Sequence, residues 1–346
     1  MCANMNEKYM YRCLQLARLG EYYVAPNPMV GAVLVGHVVG DEQGENIILG
    51  EGWHEQYGGP HAEPNCIRNA ESAHPEGIDY KSCTLYVSLE PCSHYGKTPP
   101  CAELIIRKGI GHVVIGMLDP NPQVAGRGVK MMQEAGVEVK VGVLEEECRR
   151  LNKRFNCLHT NHRPYVILKW AQTADGYIDV ARDSGTPLVI STPLTKQLVH
   201  QQRAENMAIM VGTRTVLLDN PRLLNTRWSG RSPIRVTLDR HGVLSRDCRI
   251  FSDEAPTIVY RENTDWQYIL SDLANRNVHS ILVEGGAILL QHILDSGLYD
   301  EVHVEVSKYS LPLVDGQIVG GVASPNYVFS TSPTIIDGNK IYVEYR

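Results

Sequence analysis

Four residues constrain this chain more than any others: His61, Glu63, Cys92 and Cys101. They supply one imidazole, one carboxylate and two thiols, the groups that a hydrolytic zinc site uses. A structural zinc usually takes four protein ligands, whereas a catalytic zinc keeps its fourth position for water. If His61, Cys92 and Cys101 share one ion, the fold must bring separate stretches to a single point. His61 and Glu63 are two residues apart, which puts them on different sides of a mid-helix segment. They converge only at a helix start or in an irregular turn. Pro64 suits a first helical turn, where its missing N–H costs nothing. Cys92 follows a strand pattern and Pro91, while Cys101 follows Pro99-Pro100 and opens a helical pattern. The thiols then lie near positive helix ends, which favour thiolate. Any one of these side chains alone reads as an ordinary buried thiol or a satisfied histidine. Together, with both flanking prolines in place, they read as a catalytic zinc site.

Composition narrows the class. The 346 residues carry a net charge of −6, with 43% hydrophobic and 21% charged residues. That length suggests two domains of ordinary size. Net acidity with no basic block argues against a nucleic-acid partner, because phosphate contacts need a Lys/Arg excess. The longest apolar run, Val30 to Val35, is far too short to span a bilayer. The start, with Glu7, Lys8, Arg12 and Arg18 among apolar residues, reads as an amphipathic helix and not as a signal peptide. Nine cysteines with no export signal suit reduced thiols in a cytoplasmic protein.

The hydrophobic pattern alternates helix and strand through both halves. In the first, helices are expected over 6–20, 62–73, 102–108 and 128–135, with strands over 30–39, 84–89, 112–117 and 137–141. A charged helix over 145–159 follows, and Arg163-Pro164 opens a new strand over 165–170. The second half reads as helices over 193–203 and 287–295, with strands over 207–211, 234–238, 257–259, 280–283 and 301–306. This order predicts an α/β protein of two domains, 1–148 and 149–346, with the junction in the stretch 145–163.

The pattern H-x-E…P-C…C is that of the zinc deaminases, which use a non-ligand Glu to carry protons. Glu63 would take a proton from water and hand it to the ring nitrogen and the departing ammonia. The run Glu90-Pro91-Cys92-Ser93-His94-Tyr95-Gly96-Lys97-Thr98-Pro99-Pro100-Cys101 resembles the deaminase domain of the bifunctional riboflavin-biosynthesis deaminase–reductases. Asn27-Pro28-Met29-Val30-Gly31-Ala32 and Asp119-Pro120-Asn121-Pro122 resemble further motifs of that family. In most zinc deaminases two residues separate the thiols; here eight intervene. The resemblance covers essentially the whole chain. It implies a cytidine-deaminase-like α/β/α layer domain, one zinc per chain, and a small pyrimidine substrate carrying a ribose 5-phosphate. Asn27, His54, Lys97, Asp119 and Asn121 match the positions that hold this substrate. Read by themselves, Asn27 and the Asp119–Pro122 turn are ordinary turn chemistry, and Lys97 and His54 are a solvated charge and a lone histidine. Pro64 departs from the apolar residue that usually follows the triplet.

The second half has no G-x-G-x-x-G, so the usual dinucleotide fingerprint is absent. It does have Ile281-Leu282-Val283-Glu284-Gly285-Gly286-Ala287, an apolar strand running through two glycines into a helix. Such a turn lets backbone N–H groups approach a pyrophosphate at a helix start, though alone it is equally an empty tight turn. Lys169-Trp170-Ala171-Gln172-Thr173-Ala174-Asp175-Gly176 and Asp219-Asn220-Pro221-Arg222-Leu223 resemble the family's reductase, which implies a dihydrofolate-reductase-like α/β domain. The implied reaction is NADPH-dependent reduction of the ribosyl group to ribityl. Ala171, Thr215, Asp219 and Gly286 match cofactor positions; Lys169, Arg203, Leu223, Arg227 and Glu284 match substrate positions. Guanidinium groups suit phosphate. By themselves, Arg203 and Arg227 are equally well surface charges. Arg240, often Ser in the family, is assigned here to the NADP 2′-phosphate. Pro187 and Val189 stand where the family has Ser and Trp, so a stacking ring is missing. The loop after Leu223 is one residue longer, and the C-terminal motif is blurred around Lys308 to Gly321. A homo-oligomer is implied by analogy. Rival readings are a second domain kept only for assembly, a nucleic-acid deaminase, and a binding protein with structural zinc.

Overall fold

In the computed structural model, which describes residues 5–40, 46–95, 99–122, 124–182, 186–312 and 320–346, the chain divides into two units, Met1–Asn161 and His162–Arg346. The first contains α1 (Met5–Arg18), β1 (Gly31–Gly36), β2 (Ile47–Trp53), α2 (Ala62–Ala73), β3 (Thr84–Leu89), α3 (Cys101–Lys108), β4 (His112–Met117), α4 (Arg127–Glu134), β5 (Glu138–Val141), α5 (Glu145–Leu151) and α6 (Lys153–Asn161). The sheet order is β2-β1-β3-β4-β5. β1 runs antiparallel to β2 and β3; β3, β4 and β5 are parallel.

Strand periodicity sends successive side chains to opposite faces, and here both faces are covered. Ala32, Leu34, Leu85, Val87, Val113 and Ile115 pack with Ala62, Cys66 and Ala70 of α2, Ala102 and Ile105 of α3 and Met132 of α4. Val33, Val35, Tyr86 and Val114 pack with Met10, Cys13 and Leu14 of α1 and Cys148 of α5. Helices therefore sandwich the sheet, which is why β1 is buried at every position.

Three features depart from the sequence expectations. The first strand ends at Gly36, and Val38 makes only an isolated bridge to Ile78. β2 was not expected, because Gly50 and Gly52 interrupt its pattern. Those glycines let α2 lie against the sheet: a Cβ on Gly50 would sit 2.6 Å from the Ala70 Cβ, and one on Gly52 would sit 2.3 Å from the Cys66 amide nitrogen. The charged helix is two helices, α5 and α6, and both belong to the first unit. Cys148 is buried there, and the Asn152 side chain accepts from the Met29 N–H and donates to its carbonyl, both at 2.8 Å.

The second unit contains β6 (Tyr165–Gln172), β7 (Tyr177–Val180), α7 (Pro193–Glu205), β8 (Ala208–Val211), α8 (Thr213–Asp219), β9 (Ile234–Leu238), β10 (Thr257–Tyr260), α9 (Trp266–Asn275), β11 (Ser280–Gly285), α10 (Ala287–Ser296), β12 (Glu301–Val306), β13 (Gly321–Ala323), β14 (Thr334–Ile336) and β15 (Asn339–Tyr345). Its large sheet has the order β10-β9-β8-β11-β6-β12-β15-β14, and β13 pairs with β7. Strands β10 through β12 are parallel, and β15 is antiparallel to both neighbours. One face buries Val166, Leu168, Val236, Val283 and Val302 against α9 and α10. α7 begins as expected at Pro193, with Thr192 and Thr195 forming a reciprocal cap. Sequence patterning assigned no element to β7, α8, α9, β13, β14 or β15.

Candidate active sites

His61 is the N-cap of α2, so its side chain and that of Glu63, in the first turn, face the same cavity despite their spacing. Cys92 lies just after β3, and Cys101 is the first residue of α3. The Cys101 amide donates to the Cys92 sulfur at 3.3 Å, the helix-start contact that favours thiolate. His61 Nδ1 lies 3.7 Å from Cys92 Sγ and 3.4 Å from Cys101 Sγ. A tetrahedral zinc with bonds of about 2.3 Å to sulfur and about 2.0 Å to nitrogen holds its ligand atoms roughly 3.5–3.8 Å apart. The three side chains thus fit a zinc ion, and among the described residues no fourth His, Cys, Asp or Glu joins them.

The electrostatics agree. The Cys101 thiol and amide, together with His61, push the Cys92 thiol down to about 4, against the effect of its burial. Burial, reinforced by the neighbouring Cys92 charge, raises Glu63 above the ordinary carboxylate range. A carboxyl group raised in this way can hold a proton as well as accept one.

Asn27, His54, Asp119 and Asn121 line the same cavity, of about 270 Å³, as His61, Glu63 and Cys92. His54 Nδ1 lies 2.9 Å from the Pro60 carbonyl, which can only accept, so the ring proton is on Nδ1. Its Nε2, 3.0 Å from Asn27 Nδ2, then accepts from that amide and leaves the Asn27 oxygen for the cavity. Burial lowers the His54 pKa and keeps the ring neutral. Asp119 accepts from the Asn121 N–H at 2.8 Å, and burial raises its carboxyl. Lys97 lies outside the described residues. Four further polar or aromatic lining residues were not assigned to the site from sequence: Glu90, His94, Phe155 and His159. Glu90 and His94 fall inside the motif that carries the resemblance. Phe155 and His159 share one face of α6, with ring centroids 4.4 Å apart. Their i, i+4 spacing was the available signal.

In the second unit the candidate residues fall into two groups. Thr215, Asp219, Arg240 and Gly286 line a cavity of about 670 Å³. It opens where β8, β9 and β11 end, the edge at which parallel α/β sheets take ligands. Gly286 is the N-cap of α10, and its N–H donates to Thr215 Oγ1 at 3.2 Å. Arg240 is exposed on the wall and bonds Thr264. Ala171 lies at the end of β6, off that wall. Sequence reasoning missed Asp179 and Arg182, which also line the cavity; Arg182 bridges Asp179 and Asp219. Val189, standing where a Trp was expected, is 67% exposed and also off the wall.

The other group is a partly buried charge cluster. Arg203 pairs bidentately with Glu284 through Nε–Oε1 at 2.9 Å and Nη2–Oε2 at 2.6 Å. Partial burial would raise the Glu284 carboxyl, but the Arg203 charge holds its pKa below the ordinary range. Burial lowers the Lys169 pKa, opposed by Glu284 and Glu305. The buried Leu223 has φ 55°, and the neighbouring Leu224 carbonyl accepts from Arg203 at 3.1 Å. Arg227 is exposed near His200, outside the Arg203–Glu284 pair. The two groups meet along the chain at Glu284-Gly285-Gly286.

Comparison with known proteins agrees with this division. A model of the cytidine and deoxycytidylate deaminase zinc-binding region matches residues 3–117, and one of the RibD C-terminal domain matches residues 164–329. The chain is 38% identical to riboflavin biosynthesis protein RibD of Synechocystis sp., over 93% of this chain and 88% of that protein. It is 35% identical to RibD of Escherichia coli K12, over 87% of each. The crystal structure of a diaminohydroxyphosphoribosylaminopyrimidine deaminase/5-amino-6-(5-phosphoribosylamino)uracil reductase from Thermotoga maritima superposes with a TM-score of 0.81 at 39% identity, covering 98% of both chains. Acinetobacter baumannii RibD superposes with a TM-score of 0.83 at 29% identity, again over 98% of both.

Proposed function

Because the chain belongs to the RibD family of riboflavin biosynthesis, whose members are bifunctional deaminases and reductases, we propose that its first unit hydrolytically deaminates 2,5-diamino-6-ribosylamino-4(3H)-pyrimidinone 5′-phosphate and its second reduces the product's ribosyl group to ribityl with NADPH. The observation that carries the first half is the buried Glu63 in one cavity with His61 and Cys92, two members of a His61/Cys92/Cys101 group close enough to share an ion. A zinc ion held by His61, Cys92 and Cys101 would supply Lewis acidity, enough to bring a water's pKa from 15.7 to about 7. Glu63 takes the proton from water and passes it to the pyrimidine and the departing ammonia, a role its raised pKa supports. Asn27, His54, Asp119 and Asn121 orient the ring and ribose, and Lys97 completes this set by resemblance.

In the second unit Arg203, Glu284 and Lys169 orient the sugar, with Leu223 and Arg227 beside them. Thr215, Asp219, Gly286 and Arg240 hold the cofactor, with Ala171 nearby. Bound NADPH would supply a hydride to C1 of the ring-opened imine, whose nitrogen takes a proton from solvent, and the protein's part is positioning. Val189 has no ring to stack on the cofactor. A second unit kept only for assembly is not favoured, since its family model matches and an open cavity lies at the expected strand ends. A cytoplasmic homo-oligomer completes the proposal; among the described residues no helix is long and apolar enough to cross a membrane.

The test supplies the diamino substrate to purified protein and records ammonia release and NADPH oxidation separately. Glu63→Gln should abolish the first, and Arg203→Ala should abolish only the second. Full ammonia release by Glu63→Gln would refute the proton-shuttle role.

A further inference from the structure

Glu90 is a carboxylate at 4% exposure, two residues before Cys92, and among the described residues it has no cationic partner. Such a group is costly unless its oxygens are hydrogen-bonded. Its hydrogen-bond partners among the described residues are backbone N–H groups of one loop and the helix that follows. Oε2 accepts from Asp119 at 3.2 Å and from Gly126 at 2.9 Å; Oε1 accepts from Gly128 at 2.9 Å and from Val129 at 3.3 Å. Gly126 is the N-cap of α4 and brings no side-chain cap, so Glu90 reaches across to satisfy the donors that a helix start leaves orphaned. The approach is close: a Cβ on Gly128 would lie 2.2 Å from the Pro91 carbonyl oxygen. The loop held in this way carries Asp119 and Asn121 on the cavity wall.

We propose that Glu90 is a positioning residue of the deaminase: it locks the loop bearing Asp119 and Asn121 onto the segment bearing Cys92, so that substrate-holding groups and metal ligands keep a fixed spacing. This rests on Asp119 and Asn121 contacting substrate as proposed above. Charge-assisted bonds to four amides make the lock stiff. Gln at this position would turn an NH₂ group toward backbone donors and could satisfy only one side.

The experiment measures steady-state deamination by the full-length protein with the diamino pyrimidine ribotide. Zinc content is measured alongside, and the reductase activity of the same chain serves as the control for folding. Glu90→Gln should raise KM about tenfold or more, with a smaller fall in kcat, zinc near one per chain and reduction unchanged. Gly128→Ala, which leaves the carboxylate but forces α4 outward, should reproduce the KM effect. In an Asp119→Ala background, Glu90→Gln should cost much less than it does alone, because its effect runs through that loop. Glu90→Gln with KM within twofold of wild type, while Asp119→Ala alone is defective, would overturn the inference and leave the substrate-site reading standing. Zinc loss proportional to activity loss, or additive effects in the double variant, would overturn it too. An Asp119→Ala variant with normal KM would instead sink the reading beneath it.

Discussion

At the residue scale the account turns on a few protonation states and charge pairs. In the proposed mechanism Glu63 carries the proton, so Glu63→Gln should lower the deamination rate on the order of 10²–10⁴-fold while keeping its zinc; metal content and ammonia release on the same sample check this. Arg240 is exposed on the wall of the second unit's cavity. Its removal should reduce the preference for NADPH over NADH about tenfold, as expected for one charge-assisted phosphate contact; an unchanged preference would remove Arg240 from the 2′-phosphate. The metal ligands and Glu63 were legible because their residue types and spacing have few other uses. Asn27, His54, Asp119 and Asn121 could be named only through a resemblance, since each alone is ordinary turn or surface chemistry. The i, i+4 spacing of Phe155 and His159 paired them but gave no destination, and only the fold brings them, Asp179 and Arg182 to the cavities.

At the scale of elements, glycines and caps decide where the site groups stand. β2 was illegible because Gly50 and Gly52 look like breakers, yet they let α2 approach the sheet with His61 and Glu63 at its start. Gly52→Ala should destabilise the protein by about 1–3 kcal/mol and lower zinc occupancy, measured by denaturant unfolding and metal analysis. Normal occupancy would separate β2 from the metal site. In the second unit Glu344 of β15 is buried, which alone would raise its pKa. Its hydrogen bonds from Ser330 and Thr331 outweigh that and hold it at about 2. The folded pKa is depressed, so this contribution is complete above the ordinary carboxylate range and disappears as pH falls toward that value. Glu344→Gln should therefore cost about 1–3 kcal/mol near neutral pH and progressively less in acid. A penalty that does not shrink in acid would contradict this reading. The short strands β7, β13 and β14 were missed because three or four residues hold too little alternation to stand out from loop.

At the scale of the whole molecule, two units carry two chemistries on one chain. Alternating helix and strand patterns made the α/β class legible in both, and the helical connection α5–α6 belongs with the deaminase, where Asn152 anchors it to Met29. The activities should separate cleanly. A zinc chelator should stop ammonia release and spare NADPH oxidation when the deaminated intermediate is supplied directly. The most direct test is the zinc stoichiometry of protein purified without chelator, for wild type and Cys101→Ser. The account predicts close to one zinc per wild-type chain and little in the variant. A wild type free of zinc, or a variant that keeps a full equivalent, would contradict it.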